Sequence, residues 1–284
     1  EKLGKKEKSV TLALEAAYRL RGEGREREVG PTGDRGTDWP AERDPNMSDA
    51  RFVGKTIVIT GAGGNFGRAG CLFFTKRGAS VVAWDNNESA LMETINEVRS
   101  QDEANYIRIE GYTCDVTSED SVRSTLESVL SDFSRIDMLW NNAGYQGEIK
   151  PTLEYDIEDF SRVMNINVTG AFIVLQSVAK IMAGQSRGEQ DSSHPFSIVN
   201  TASVAGLRGT PAMVAYSSSK AAILAMTVAV AKDLAPHGIR VNSISPALIG
   251  PGYMWTRQNE LHASSGSPYF SSDPEQVAEA KIGG

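Results

Sequence analysis

Lys55 to Thr60 (KTIVIT) is a short apolar run that breaks into the turn Thr60-Gly61-Ala62-Gly63-Gly64-Asn65-Phe66-Gly67. A run this short, rich in β-branched residues and ended by glycines, predicts a buried strand. The same rhythm then repeats. Asn65 to Arg77 predicts a helix, Ala79 to Trp84 a strand, Glu88 to Ser100 a helix and Tyr106 to Cys114 a strand. Ser118 to Phe133 predicts a helix, with Thr117 or Ser118 as its N-cap ahead of Glu119 and Asp120. Ile136 to Trp140 predicts a fourth strand, Ile157 to Ala183 a long apolar helix, and Phe196 to Asn200 a fifth strand. Ala212 to Ala235 predicts a buried helix and Arg240 to Ile244 a sixth strand. Strands separated by single helices require right-handed crossovers, and so build a parallel, doubly wound sheet with helices on both faces.

This α/β, Rossmann-like pattern fits one domain over residues 47–284. Residues 1–46 differ: they mix both charges, turn Gly, Pro and Arg rich, and offer little to bury. They are expected to be a disordered or non-native extension, with Met47 as the natural start. The polar stretch from Met182 to His194 predicts an exposed loop. With 284 residues and a net charge of −7, the chain has no polybasic footprint for nucleic acid or an anionic membrane. No uninterrupted apolar window of spanning length is expected, and no secretory signal. Cys71 and Cys114 lack metal-type spacing and suggest a reducing, cytoplasmic setting. His194, His237 and His262 form no HxxxH or HExxH pattern, so no catalytic zinc is expected.

The glycine-rich turn has the context that gives it meaning, a strand before it and a helix after it. Glycines allow close approach of backbone to ligand, and the helix N-terminus offers N–H groups to a pyrophosphate. Asp85 ends the second strand, where a carboxylate can accept hydrogen bonds from both ribose hydroxyls of an adenosine and would repel a 2′-phosphate. No Arg or Lys lies between Trp84 and Ala90, so NAD is expected over NADP. Asp115, in Cys114-Asp115-Val116, is a candidate for the adenine amino group or for an N-cap.

Tyr216-Ser217-Ser218-Ser219-Lys220 lies near the start of the last apolar helix. Residues i and i+4 share a helix face, which puts Tyr216 and Lys220 on one side. An ammonium about 4 Å from a phenol favours the phenolate by roughly 4 kcal/mol at an effective dielectric near 20, or about three pKa units. Such a pair is expected to serve as a general acid/base on a hydroxyl.

Asn141-Asn142-Ala143-Gly144 ends the fourth strand, Asn167-Val168-Thr169-Gly170 lies in the long helix, and Ser203 follows the fifth strand. Together with TGAGGNFG and YSSSK, these stretches resemble the short-chain dehydrogenase/reductase family, from about Lys55 onward. The resemblance implies Tyr216 as acid/base and Lys220 as the group that lowers its pKa and binds the nicotinamide ribose. It implies Ser203 on the reacting oxygen and Asn167 holding a water in a proton relay. Gly61, Gly63, Asn65, Phe66, Gly67, Asp85, Asp115, Val116, Asn142, Ala143, Gly144, Pro246 and Ile249 would contact the cofactor. NNAGYQG, INVTGAF and GPGYMW further resemble the family's NAD-dependent polyol dehydrogenases. That implies a small, xylitol-like polyol and its ketose as substrates, met by Gln146, Met254 and Trp255, with a lid over about 250–280. The two apolar helices would pair across a two-fold axis, giving a homodimer or homotetramer.

Three departures stand out. Asn65 replaces a glycine of the family pattern and is expected to tolerate positive φ there. Ala247 follows Pro246 where the family has glycine. The chain also stops at Gly284, where family members continue into another strand, so a truncated end is expected. Two alternatives stay open: a 3-oxoacyl or other carbonyl reductase, and an NAD-binding protein of little activity.

Overall fold

The computed structural model describes residues 51–101, 108–185, 196–247 and 253–283. Residues 1–46, Tyr106, the tip of the polar insert and Ile249 lie outside the described residues, as does the side chain of Met254.

Six parallel strands form one sheet in the order β3-β2-β1-β4-β5-β6. They are β1 (Thr56–Thr60), β2 (Ser80–Asp85), β3 (Ile109–Thr113), β4 (Met138–Asn141), β5 (Phe196–Thr201) and β6 (Ile239–Ile244). The helices are α1 (Asn65–Thr75), α2 (Glu88–Arg99), α3 (Glu119–Phe133), α4 (Ile157–Met164), α5 (Ala171–Gly184), α6 (Ala205–Arg208), α7 (Val214–Leu234), α8 (Tyr253–Ala263) and α9 (Pro274–Gly283). Strand β1 shows why the apolar runs are continuous. Its side chains alternate, Ile57 and Ile59 into a core with α1 and α2, Val58 into a core with α3 and α5. Both faces are covered, so neither can be polar.

Local signals set most helix starts. Asn87 caps α2, accepting from the Ala90 amide at 3.1 Å, and Asp156 caps α4, accepting from Glu158 at 2.7 Å. Of the two candidates before α3, Ser118 is the cap, accepting from Ser121 at 3.2 Å. Asp137 secures the opposite rim of the sheet. It is buried, accepts from the Thr56 amide at 2.9 Å and meets Arg135 at 2.5 Å.

Three expectations need correction. The strand predicted from Tyr106 begins at Ile109. The long helix Ile157 to Ala183 is not regular: a π-helical turn, Asn165–Gly170, separates α4 from α5. Periodicity does not reveal such a turn, because it changes the winding without changing the apolar content. Two segments, Ile157–Gly184 and Val214–His237, are long and apolar enough to cross a membrane, with mean hydropathy 1.5 and 1.4. Both pack on the sheet, where α5 buries Val174, Leu175 and Val178 and α7 adds Met226 and Val230 to the same core. Core helices that meet their own apolar neighbours satisfy the same criterion.

Two glycines in helices give opposite predictions. A Cβ at Gly70 would fall on the buried Trp140 ring, whereas one at Gly184 would meet nothing within 4 Å. Gly70→Ala is expected to destabilise by about 1–3 kcal/mol through overpacking, despite its better helix propensity. Gly184→Ala is expected to stabilise by up to about 1 kcal/mol. Urea unfolding of the two variants checks the opposite signs.

Candidate active site

The sheet order reverses between β1 and β4, and ligands of open α/β sheets bind beyond the carboxyl ends of the strands at such a point. Polar residues gather there. Thr60, at the end of β1, accepts from the backbone amides of Asn142 and Ala143 through Oγ1, both at 2.9 Å. The Asn142 side chain returns a hydrogen bond to the Thr60 carbonyl at 3.2 Å. Asn141 donates to the Ala171 carbonyl at 2.8 Å and to Asn200 at 3.2 Å. The strand ends are thus tied together before any ligand is considered.

On the β1 side, Gly64 is the N-cap of α1, and no side chain caps it. Amide groups of the first turn, from Asn65, Phe66 and Gly67, therefore face the end of the sheet as donors. Gly61 has φ +68°, and a Cβ there would lie 2.9 Å from the Ala143 backbone. A Cβ at Gly67 would fall on the Gly61 carbonyl oxygen. These positions need glycine because backbone passes backbone. Asn65 is the first residue of α1 in ordinary helical conformation, so the positive φ expected there is not required. Phe66 packs edge-on against Trp140 at 5.2 Å. Asp85 accepts from Gly63 at 2.9 Å and from Asn87 at 2.9 Å. Each carboxylate oxygen takes one of these bonds and keeps a lone pair for a ribose hydroxyl. The arrangement fits a dinucleotide: an uncapped helix start for pyrophosphate and an anchored carboxylate for the adenosine.

Asp115 turns its carboxylate onto Thr117, at 2.9 Å to the amide and 2.7 Å to the hydroxyl. It braces the turn before α3 and does not cap the helix. Val116 packs against the π-helical turn, where a Cβ at Gly170 would lie 3.0 Å from its Cγ2.

On the β5 side the structure brings Ser203, Tyr216 and Lys220 together. The Ser203 hydroxyl lies beside the Tyr216 phenol and acts to lower its pKa. Ser203 also accepts from the Ala205 amide at 3.2 Å and lies 3.5 Å from the Pro246 carbonyl. Pro246 therefore contributes by bracing the serine turn. Lys220 is buried and donates to the Thr201 carbonyl at 2.6 Å. A Cβ at Gly144 would lie 3.6 Å from the Lys220 Nζ and 3.3 Å from the Asn167 Oδ1, so the strand-β4 loop passes directly over the lysine.

The expected electrostatics need correction. Burial pushes the Tyr216 phenol above its ordinary value, and the nearby Ser203 hydroxyl only partly opposes it. Burial also lowers Lys220 from 10.5 to about 8. Its Nζ lies 5.6 Å from the centre of the Tyr216 ring. Tyr216 and Lys220 share a helix face, as i, i+4 spacing requires, but desolvation dominates both groups.

Asn167 sits within the π-helical turn and is buried. Its side chain accepts from the Tyr145 amide at 2.7 Å, and donates to the Tyr145 carbonyl at 2.8 Å and to Ser219 at 2.9 Å. It thereby clamps the loop after β4 to α7. Asp159 holds the same loop from below, accepting from Tyr145, Tyr155 and the Glu148 amide at 3.1, 2.8 and 2.8 Å. Gln146 on this loop meets Gln258 of α8 at 3.2 Å. Trp255 lies 5.7 Å from the ammonium of Lys281, on α9. Lys281 also reaches Asn259 at 2.7 Å and His262 at 3.1 Å. Thr60, Thr201, Asp159 and Gln258 were not singled out from sequence. Only Thr60, the first residue of the TGAGG turn, carried a local signal.

A half-buried hydroxyl pair and a buried lysine beyond the strand ends, beside an uncapped helix start, fit a Rossmann-type oxidoreductase site. The chain belongs to the short chain dehydrogenase family, whose profile matches residues 55–261. It is similar to a solved NAD+-bound xylitol dehydrogenase: 48% identity, TM-score 0.76, covering 82% of this chain and 85% of that one. A 3-oxoacyl-(acyl-carrier-protein) reductase of Thermotoga maritima is 35% identical over 199 residues, 70% of this chain and 76% of that protein. A 2,5-dichloro-2,5-cyclohexadiene-1,4-diol dehydrogenase of Sphingobium indicum is 33% identical over 245 residues, 83% and 90% of the two chains.

The α8–α9 contact generates a pH prediction. Burial, with the neighbouring Lys281 charge, lowers His262 from 6.5 to about 4. Between those values the unfolded chain binds the extra proton, so stability falls as pH falls. The native protein is expected to lose roughly 3 kcal/mol from this group between pH 7 and 4. His262→Gln is expected to show a shallower loss, as checked by denaturant unfolding at both pH values.

Proposed function

We propose that this protein is an NAD-dependent dehydrogenase of small polyols. It interconverts a secondary alcohol of a xylitol-like substrate and the corresponding ketose. The observation that carries the chemistry is the Ser203–Tyr216 hydroxyl pair with buried Lys220 one helical turn away. The substrate class is supported by the likeness to xylitol dehydrogenase and by the paired amides of Gln146 and Gln258, which suit hydroxyl groups. The cofactor is NAD: Asp85 accepts at the end of β2, and no cation between Trp84 and Ala90 awaits a 2′-phosphate.

When bound, NAD supplies the hydride acceptor or donor. The chain's own work is orientation and proton handling. Ser203 holds the reacting oxygen, and Tyr216 takes its proton during oxidation and returns it during reduction. Lys220 meets the nicotinamide ribose hydroxyls. These replace the water it lost on burial, and they favour its charged form. Asn142, Ala143 and Gly144 line the ribose. Asn167 spends both amide hydrogens on Tyr145 and Ser219, so a relay water would sit on one of its acceptor oxygens. Trp255 of α8 faces the substrate from the 250–280 segment.

A carbonyl reductase is the second reading, favoured by the 35% identity to the 3-oxoacyl reductase. A homodimer or homotetramer is supported by Phe172 on α5 and Val228 on α7, exposed apolar residues on helices that otherwise pack on the core. The cytoplasm suits the two free, buried cysteines.

Assays of xylitol and other pentitols with NAD, and of 3-oxoacyl substrates with NADPH, separate the readings. Pentitol-dependent NADH formation supports the first, and NADPH-driven reduction alone overturns it. Tyr216→Phe is expected to lower kcat by about 10²–10⁴ while leaving NAD affinity within about twofold. Oxidation is expected to gain rate toward alkaline pH, as the rate profile from pH 6 to 10 checks.

A further inference from the structure

Thr201 ends β5 and touches both halves of the site. Its carbonyl accepts from Lys220 at 2.6 Å. Its hydroxyl receives the Trp140 indole N–H at 2.9 Å and lies 3.1 Å from the Asn142 Oδ1. The order of donors along this chain is forced. An indole nitrogen can only donate, so it occupies a lone pair of the hydroxyl. The single hydroxyl hydrogen is then left for Asn142, whose side-chain oxygen must accept it. That choice directs the Asn142 NH2 group at the Thr60 carbonyl, 3.2 Å away. A Cβ at Gly61, in the phosphate-binding turn, would lie 3.2 Å from that same nitrogen. Were the amide reversed, its oxygen would face the Thr60 carbonyl oxygen, acceptor against acceptor. The hydroxyl's acceptor side is thus filled from the core, and its donor side is aimed at the cofactor loop.

We propose that Thr201 is a positioning residue. Its hydroxyl, oriented by the Trp140 indole, fixes the Asn142 amide and so shapes the loop that meets the dinucleotide. This rests on the assignment of NAD as cofactor. Strands β4 and β5 are in register here, with Trp140 opposite Val199 and Asn141 opposite Asn200. Trp140 and Thr201 are therefore diagonal neighbours, within reach of a long side chain. Trp140 is held in turn by Phe66 and by the space that Gly70 leaves for its ring.

The test is the NAD dissociation constant by titration calorimetry on the full chain, beside steady-state kinetics. Thr201→Val removes the hydroxyl at equal volume and is expected to weaken NAD binding about tenfold, since it leaves the Asn142 oxygen without its donor. KM for NAD should rise in step, and kcat should stay within about threefold, because the backbone carbonyl that holds Lys220 remains. Thr201→Ser is expected to restore binding to within about twofold. Unchanged NAD binding in Thr201→Val, even with a lowered melting temperature, overturns the proposal. So does equal loss in the serine and valine variants. Should the valine variant fail to fold, Trp140→Phe removes the directing donor instead and is expected to weaken NAD about threefold. Where both fold, the double variant is expected to bind NAD no more weakly than Thr201→Val alone, and additive losses overturn the proposal. A native chain that fails to bind NAD sinks the cofactor assignment, whereas native binding with an unaffected valine variant sinks only the role of Thr201.

Discussion

A parallel sheet covered on both faces can place polar chemistry only along its rims. Here β1 sends alternate side chains into two separate apolar cores, and the inner strands have no wet face at all. Strand ends are consequently where such groups gather: Thr60 meets Asn141, Asn141 meets Asn200, and Thr201 meets Asn142. The site depends on that rim in a direct sense. Thr60 fixes the backbone of Asn142 and Ala143, Thr201 receives Lys220, and Asn141 reaches the start of α5. Binding and proton transfer thus draw on a framework set by the needs of a dry sheet.

Desolvation governs the reacting groups. Tyr216 and Lys220 both pay for burial, and in both the neutral form gains. A tyrosine that is neutral until a positively charged nicotinamide arrives would keep its proton in the empty site. The cofactor's ribose and charge would supply what the lysine alone does not. Ser203 is braced by the Ala205 amide and the Pro246 carbonyl.

Much of this was legible in the residues. The strands, their order of appearance, the glycine-rich turn, Asp85 and the pairing of Tyr216 with Lys220 follow from periodicity and from i, i+4 geometry. Less legible were effects that depend on neighbours distant in sequence. The Tyr216 shift required knowing how deeply both groups lie. The role of Thr201 required the register of β4 against β5. The π-helical turn at Asn165–Gly170 keeps an apolar composition, so its altered winding leaves no mark on hydropathy. Helices α8 and α9 carry too little apolar periodicity to stand out, and they owe their order to contacts such as Lys281 with Asn259. Asn65 needs none of the positive-φ tolerance expected of it, because it is already the first residue of α1.

The amine of Lys281 has one more consequence. By donating to Asn259 and lying close to His262, it joins the two helices, and Phe270 meets the His262 ring edge-on at their seam. Helices tied in this way hold their mutual spacing, so the place of Gln258 opposite Gln146 is set from both of them.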